Sequence, residues 1–191
     1  MILYIHGFGS SAFSAKVIKL KALNLDPIFL APSLSTIPDL AMQTLEDIIM
    51  MHLSTNSSES LQLMGSSLGG YYALYLSQKY DLKAILINPS IEPYKTLNKF
   101  ETMTSYYDGS SFEWSKKHIQ SLHHFATPKI IYHDRLFLLT QKGDETLDYR
   151  VAVKKLKHSK QIIQEGGNHS FENIECLEKE IKDFFHSDLL L

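Results

Sequence analysis

Cysteine is almost absent from this chain of 191 residues. Cys176 is the only one, so no disulfide bond can form within the chain. A lack of internal disulfides is typical of proteins in a reducing compartment, which indicates a cytoplasmic location. Cys176 lies in an acidic, helix-like segment without a neighbouring cation to activate its thiol, and we therefore expect it to be inert.

The chain also lacks long apolar runs and a strong excess of either charge. The apolar stretch at residues 1–5 is too short for a membrane span and contains no basic residue of the kind that opens a signal peptide. The formal net charge is −2, which provides neither a basic surface for nucleic acid nor a polybasic patch for an anionic membrane. We therefore expect no nucleic-acid partner and no membrane span.

What the chain does have is an ordinary globular composition, with 44% hydrophobic and 21% charged residues. A length of 191 residues is sufficient for one domain with a sizeable core. No internal repeat, linker or low-complexity segment divides the sequence. We therefore expect residues 1–191 to form a single domain.

The clearest pattern lies in residues 61–76, where a short apolar run leads into Gly65-Ser66-Ser67-Leu68-Gly69 and then into a helix-like segment. Gly-x-Ser-x-Gly between a buried strand and a helix is the pattern of a nucleophile elbow, a sharp turn that exposes the central serine hydroxyl. Gly65 and Gly69 have no Cβ atom, which allows the strand and the helix to approach closely around Ser67. The alternative is a purely structural glycine-rich turn. A phosphate-binding loop is disfavoured because neither Gly-x-Gly-x-x-Gly nor Gly-Lys-Ser/Thr occurs here.

Strand-like apolar runs alternate with helix-like segments along the chain. The predicted strands cover 2–5, 27–30, 61–64, 83–87, 135–140 and 160–164, and the predicted helices cover 14–23, 38–53, a segment from the elbow to about 80, 149–156 and 171–185. A polar turn is predicted at 56–60. This alternation is typical of a parallel sheet covered on both faces. The predicted fold is therefore α/β, an α/β-hydrolase fold with a mostly parallel sheet of about six strands.

Four loops follow predicted strands directly, after Ile5, Met64, Thr140 and Glu165. Ligands of open parallel sheets bind beyond the carboxyl ends of the strands. Because the four loops are far apart in sequence but share that edge of the sheet, we expect the functional site there.

Three residues in these loops have the chemistry and the chain order of a Ser–Asp/Glu–His catalytic triad. Ser67 is the predicted nucleophile, and His169, just before the last helix, is the predicted base that takes its proton. Asp144, at the end of a strand, is the predicted orienting carboxylate, with Asp148 and Glu145 as alternatives. Asp148 also suits the N-cap of the following helix. The alternative for His169 is an ordinary histidine in a polar turn.

The loop His6-Gly7-Phe8-Gly9 is the predicted source of half an oxyanion hole. Acyl transfer places negative charge on a carbonyl oxygen, which two backbone N–H groups must bind. We expect these to be the N–H groups of Leu68, directly after the nucleophile, and of Phe8. Gly7 lets the loop approach the substrate, and His6 is expected to fix the loop through a hydrogen bond rather than to carry protons. A structural glycine-rich turn is the alternative.

This chemistry needs no cofactor and no metal, and neither is predicted. His118, His123 and His124 lie near one another in sequence. No cysteine or carboxylate spacing of the kind found in metal sites supports them, so we do not expect them to hold a metal.

Residues 90–129 have irregular periodicity and frequent aromatic residues. They fall between the strand after the elbow helix and the acid-bearing strand, where hydrolases of this type commonly carry a cap over the site. We predict a small cap insertion here, whose aromatic residues line an apolar acyl pocket. Packing of an extra helix pair explains the same aromatic residues equally well.

Five blocks of the sequence occur together: Tyr4-Ile5-His6-Gly7-Phe8 with Ser10-Ser11, Gly65-Ser66-Ser67-Leu68-Gly69-Gly70-Tyr71-Tyr72-Ala73, Ile87-Asn88-Pro89, Gln141-Lys142-Gly143-Asp144-Glu145-Thr146-Leu147-Asp148-Tyr149-Arg150, and Glu165-Gly166-Gly167-Asn168-His169-Ser170-Phe171. In this combination they resemble the YqiA-like esterases, a family of small bacterial α/β-hydrolases. The resemblance extends over nearly the whole chain, although little matches within 90–129. It implies carboxylesterase activity on short acyl esters or acyl-CoA thioesters, with Ser67, Asp144 and His169 as the triad.

The predicted function is therefore hydrolysis of small carboxylic esters or thioesters through an acyl-enzyme intermediate on Ser67. A serine peptidase or amidase is an alternative, because the same triad also cleaves amides. A non-catalytic ligand-binding protein on a hydrolase scaffold is a further alternative. It is disfavoured because a receptor would not need all three triad residues.

Overall fold

A computed structural model describes residues 1–26, 28–55 and 60–187 of the chain. Six strands form one sheet in the order β2-β1-β3-β4-β7-β8, and each neighbouring pair is parallel. The prediction of a mostly parallel sheet of about six strands is confirmed. Within the described residues the strands are β1 (Ile2–Ile5), β2 (Phe29–Leu30), β3 (Gln62–Ser66), β4 (Ala84–Ile87), β5 (Thr102–Thr104), β6 (Ser111–Glu113), β7 (Leu136–Gln141) and β8 (Lys160–Gln164).

The described α-helices are α1 (Ala15–Ala22), α2 (Pro38–Ser54), α3 (Leu68–Tyr80), α4 (Pro93–Thr96), α5 (Lys116–His124), α6 (Tyr149–Lys155) and α7 (Glu178–His186). They cover both faces of the sheet, as predicted. Alternate strand residues point to opposite faces: Leu3 and Ile5 pack with residues of α2, α3 and α6, whereas Ile2 and Tyr4 pack with residues of α1 and α7. None of these helices is long and apolar enough to cross a membrane.

Most predicted element boundaries agree with the structure to within two residues. Two predictions fall partly outside the described residues. The predicted strand 27–30 is observed as β2, and residue 27 is not described. The predicted polar turn at 56–60 lies outside the described residues except for Ser60.

The prediction of one helix over 171–185 is wrong at its start. Phe171 and Asn173 have φ angles of 62° and 54°, in the left-handed region that an α-helix cannot contain. A short 3-10 helix (Ile174–Leu177) follows, and α7 begins only at Glu178. The side chain of Phe171 is buried, and this packing supports the unusual backbone.

Residues 90–129 contain α4, an antiparallel hairpin of β5 and β6, and α5. The hairpin contacts the loop after β1: the N–H of Tyr106 donates to the carbonyl oxygen of Gly9 at 2.8 Å. The Phe8 ring packs edge-on against Trp114, with 4.5 Å between ring centroids, and also against Phe112. This segment therefore lies beside the loop that was predicted to bind an oxyanion.

Candidate active site

Ser67 occupies the turn between β3 and α3. Its φ and ψ angles are 55° and −120°, a strained combination for a residue with a side chain. The turn is held by hydrogen bonds from the N–H of Ser67 to the carbonyl oxygen of Ile87 (3.1 Å) and from the N–H groups of Gly70 and Ser90 to the carbonyl oxygen of Ser67 (both 3.0 Å). This backbone has the geometry of a nucleophile elbow.

Close packing of backbone around the turn requires glycine on both sides of Ser67. A Cβ atom on Gly65 would lie 2.2 Å from the carbonyl oxygen of Gly69, and a Cβ atom on Gly69 would lie 2.0 Å from that of Ile5. The contacts are with main-chain atoms, which cannot turn aside as a flexible side chain can.

The structure brings Ser67, His169 and Asp144 into one hydrogen-bonded row. The imidazole Nε2 of His169 lies 3.0 Å from the Ser67 Oγ, and its Nδ1 lies 2.8 Å from the Asp144 Oδ2. These residues follow β3, β7 and β8, and thus lie at the carboxyl edge of the sheet. The Asp144 side chain is only 2% exposed, whereas that of His169 is 23% exposed and therefore within reach of solvent.

Hydrogen bonds keep the Asp144 carboxyl ionised despite its burial. Burial alone raises the pKa of this group, but the bond to His169 and those from the N–H groups of Leu147 and Thr146 outweigh it, so that the net pKa lies below its ordinary value. The two N–H groups donate to Oδ1 at 2.8 Å each, which leaves Oδ2 for the imidazole.

The two alternative carboxylates bind other partners. The Oε2 of Glu145 accepts a hydrogen bond from the backbone N–H of His169 at 3.0 Å, not from its ring. Asp148 is the N-cap of α6, where its Oδ1 accepts from the N–H of Arg150, and it also pairs with the guanidinium of Arg150. Asp144 is the carboxylate that contacts the imidazole.

The loop that carries His169 is anchored by two buried amides that the sequence analysis did not single out. Asn88 donates from Nδ2 to the carbonyl oxygens of Asn168 (2.9 Å) and His169 (3.2 Å). The Oε1 of Gln141 accepts from the N–H groups of Asn168 (3.2 Å) and Glu172 (2.9 Å). Both amides follow or end apolar strands at the carboxyl edge, and that position is the signal that could have identified them.

The loop after β1 brings backbone N–H groups to the same place. A Cβ atom on Gly7 would lie 3.2 Å from the Ser67 Cβ, so the loop passes directly over the nucleophile. Leu68 is the first residue of α3, and its N–H therefore has no intrahelical partner. Among the described residues, neither this N–H nor that of Phe8 donates a hydrogen bond, and both residues line the cavity next to Ser67.

His6 fixes this loop as a neutral imidazole. Its Nε2 accepts from the N–H of Leu34 at 2.9 Å, so its Nδ1 carries the proton and donates to the carbonyl oxygen of Gly7, also at 2.9 Å. Burial lowers the pKa of His6, which agrees with an uncharged ring.

A cavity of about 320 Å³ opens in front of Ser67. Its wall is mainly apolar and includes Phe8 and Leu68 on one side and Leu97 and Phe100 on the other. Lys95 and Lys99 also line the cavity, and the Lys95 ammonium forms a salt bridge with Glu92 at 2.6 Å. The apolar wall suits an apolar group beside the nucleophile.

A lysine that the sequence analysis missed lies behind the elbow. The Nζ of Lys16, in α1, donates to the Oγ of Ser66 at 2.5 Å. The sequence of α1 did not predict this contact, because a lysine in a surface helix normally points to solvent.

Within the described residues, no three His, Cys, Asp or Glu side chains are grouped closely enough to hold a metal ion. Two of the histidines considered above have other partners. The Nδ1 of His118 accepts from the N–H of Ser115 at the start of α5, and the His123 ring stacks on Tyr94.

The sheet and the elbow at Ser67 define a protein with the α/β-hydrolase fold. The chain belongs to the uncharacterised protein family UPF0227, whose family model matches residues 1–186. It is 27% identical over 188 residues to the UPF0227 protein YcfP of Escherichia coli O9:H4, covering 96% of this chain and 98% of that relative. The membership confirms the resemblance seen in the sequence.

Solved structures with the same fold include proteins of much lower sequence identity. Est1E from Butyrivibrio proteoclasticus, with ferulic acid bound, superposes with a TM-score of 0.77 at 13% identity, covering 100% of this chain and 89% of its own. The mouse alpha/beta hydrolase domain-containing protein 10 superposes with a TM-score of 0.70 at 16% identity, covering 97% and 89%. At such identities the likeness establishes the fold alone.

Proposed function

We propose that this protein is a serine hydrolase that cleaves carboxylic esters, either short-acyl esters or acyl-CoA thioesters. The observation that carries this proposal is the continuous hydrogen-bonded row from Asp144 through His169 to Ser67. A serine hydroxyl is a weak nucleophile until a positioned base takes its proton, and this row supplies the base and its orienting group.

The reaction begins when Ser67 Oγ attacks the acyl carbonyl carbon and transfers its proton to His169 Nε2. Asp144 keeps the proton of the imidazole on Nδ1 and stabilises the imidazolium that forms. His169 then protonates the departing alcohol or thiol, which leaves the acyl group on Ser67. A water that gives its proton to His169 hydrolyses this acyl-enzyme and releases the acid.

The negative charge of each tetrahedral intermediate is bound by the N–H groups of Phe8 and Leu68. This assignment is supported by the position of both residues next to Ser67 and by the absence of other acceptors for their N–H groups among the described residues. A donor that needs no reorganisation contributes most to such a transition state.

Residues 90–129 act in this proposal as a small cap on a single domain. Leu97 and Phe100 line the cavity, and Trp114 packs on Phe8, so the segment forms one wall of the acyl site. The apolar wall and the volume of about 320 Å³ support a short acyl group. The ammonium of Lys99, which also lines the cavity, supports a substrate with anionic groups, such as a coenzyme A thioester. Because Est1E holds ferulic acid, a hydroxycinnamoyl ester belongs in the substrate panel.

The cytoplasmic location of the protein stays a prediction.

The test is the rate of p-nitrophenyl acetate and p-nitrophenyl butyrate hydrolysis by the wild type and by Ser67→Ala. We expect kcat of Ser67→Ala to fall by about 10⁶-fold while its circular dichroism spectrum is unchanged. Ser54→Ala, an exposed serine at the end of α2, is the matched control and should retain the wild-type rate. Full activity in Ser67→Ala would refute the proposal. A panel of esters, acyl-CoA thioesters and peptides then identifies the leaving group.

A further inference from the structure

Lys16 lies behind the elbow, on the face of the sheet that α1 covers. Its Nζ donates to the Oγ of Ser66, the residue directly before the nucleophile, and Ser66 is only 3% exposed. Among the described residues, no carboxylate lies within 4.0 Å of the Lys16 ammonium to pair with it.

A partly buried cation without a directly paired anion is unfavourable, because the ammonium loses hydration and gains only a hydroxyl as its partner. Burial lowers the pKa of Lys16 to about 8, while the attraction of Asp144 acts in the opposite direction. Surface lysines avoid this cost by extending into solvent. Lys16 instead points inward to the residue before the nucleophile, and we therefore expect this unfavourable position to serve a function.

The titratable groups near Lys16 and the elbow belong to several elements. Lys16 extends from α1 and Tyr4 from β1, and Asp144 and Glu145 belong to the loop after β7. His169 belongs to the loop after β8 and lies between Asp144 and Ser67. Lys16 is therefore a cation placed on the far side of the elbow from the acyl cavity, and it interacts electrostatically with the triad carboxylate.

We propose that Lys16 is a positioning residue of the hydrolytic site, which holds Ser66 against the nucleophile turn and supplies a positive charge behind the Asp144–His169 pair. This inference rests on the proposed serine hydrolase function. Lys16 touches neither the substrate nor the reacting atoms, and it acts through Ser66 and through its field on the triad.

The field of Lys16 has a defined sign. A positive charge opposes protonation of a nearby base. Removal of the charge therefore moves the acid limb of the activity profile to higher pH, whereas a purely structural role of Lys16 would lower activity equally at every pH.

The experiment compares pH profiles of kcat/KM for p-nitrophenyl butyrate between pH 5 and 9. We expect Lys16→Met to shift the midpoint of the acid limb upward by about half a pH unit or more. Lys16→Arg retains the charge and should keep the wild-type midpoint, even if its overall rate falls. Ser66→Ala retains the charge but loses the hydrogen bond, and it should lower kcat without moving the midpoint.

Lys19→Met is the matched control, because Lys19 is an exposed lysine of the same helix and its charge is screened by solvent. Its midpoint should equal that of the wild type. An unmoved acid limb in folded, active Lys16→Met would overturn the inference and leave the hydrolase proposal intact. A wild type that neither hydrolyses any ester nor reacts with a fluorophosphonate would instead overturn the hydrolase proposal.

Discussion

At the residue scale, the Asp144 carboxyl group is fixed by three hydrogen bonds. One comes from the His169 ring and two come from the backbone N–H groups of Thr146 and Leu147. Because Oδ1 is occupied by backbone donors, Oδ2 faces the imidazole in a single orientation. This arrangement sets which nitrogen of His169 carries the proton, and it leaves Nε2 to accept the proton of Ser67.

The substitution Asp144→Asn tests this orienting role. An amide can donate to the imidazole where the carboxylate accepts, so it favours the tautomer with the proton on the wrong nitrogen. We expect kcat for p-nitrophenyl butyrate to fall by about 10³- to 10⁴-fold with little change in KM.

Asp148→Asn is the matched control for that substitution, because asparagine caps a helix as well as aspartate does. The ion pair with Arg150 is lost, but both side chains are exposed, so stability should change little. Its kcat should remain within about twofold of the wild type. A larger loss in Asp148→Asn than in Asp144→Asn would contradict the assignment of the carboxylate.

At the scale of secondary-structure elements, the nucleophile turn depends on the close approach of α3 to the end of β1. A Cβ atom on Gly69 would lie 2.0 Å from the carbonyl oxygen of Ile5 and 2.6 Å from that of His6. Relief of this overlap would separate α3 from β1, and thus Ser67 from the loop of Phe8.

Gly69→Ala should therefore destabilise the protein by more than about 3 kcal/mol or prevent folding. Gly109→Ala is the matched comparison, because a Cβ atom there meets nothing within 4 Å and only the positive φ of 74° opposes it. That change should cost about 1 kcal/mol. Urea denaturation followed by circular dichroism measures both values, and equal losses would contradict the packing account.

Local sequence patterns predicted the elements well where strand or helix periodicity was strong. Every residue of β1, β3 and β7 is buried, because helices cover both faces of the sheet. These strands therefore appear in the sequence as short, nearly continuous apolar runs rather than as alternating apolar and polar residues. The start of α7 was not predictable, because the left-handed backbone of Phe171 accompanies the burial of its side chain, which no local pattern contains. The hairpin of β5 and β6 is three residues long on each side, too short for a periodic signal.

At the scale of the whole molecule, the site combines residues that are adjacent only after folding. The triad and the two loops around it carry motifs, so their meeting could be predicted from strand order and chain order. Lys16 lies outside the five sequence blocks, and Asn88 and Gln141 lie within them but had no predicted function. Their functions depend on which side chains end up buried beside them, and burial of a polar residue is a property of the tertiary structure.

The burial of Lys16 should appear in the pH dependence of overall stability. The pKa falls from its ordinary value of 10.5 to about 8 in the folded protein, which corresponds to roughly 3 kcal/mol. The unfolded chain keeps this proton up to about pH 10.5, whereas the folded protein releases it near pH 8. The unfavourable contribution of Lys16 is therefore complete below pH 8 and is removed as the pH rises towards 10.5.

We accordingly expect the free energy of unfolding of the wild type, relative to Lys16→Met, to rise by up to about 3 kcal/mol between pH 8 and 10.5. Taking the difference cancels the titration of the buried tyrosines, which both proteins share. Lys19→Met should follow the wild type throughout. Parallel stability curves for the wild type and Lys16→Met would show that Lys16 is not a buried cation.

An activated Ser67 nucleophile should react covalently with a fluorophosphonate. The folded protein is treated with a fluorophosphonate, and the adduct is located by mass spectrometry of its peptides. The account predicts one adduct, on Ser67, which is absent in Ser67→Ala and strongly slowed in His169→Gln. An adduct on another residue, or none on the folded wild type, would contradict it.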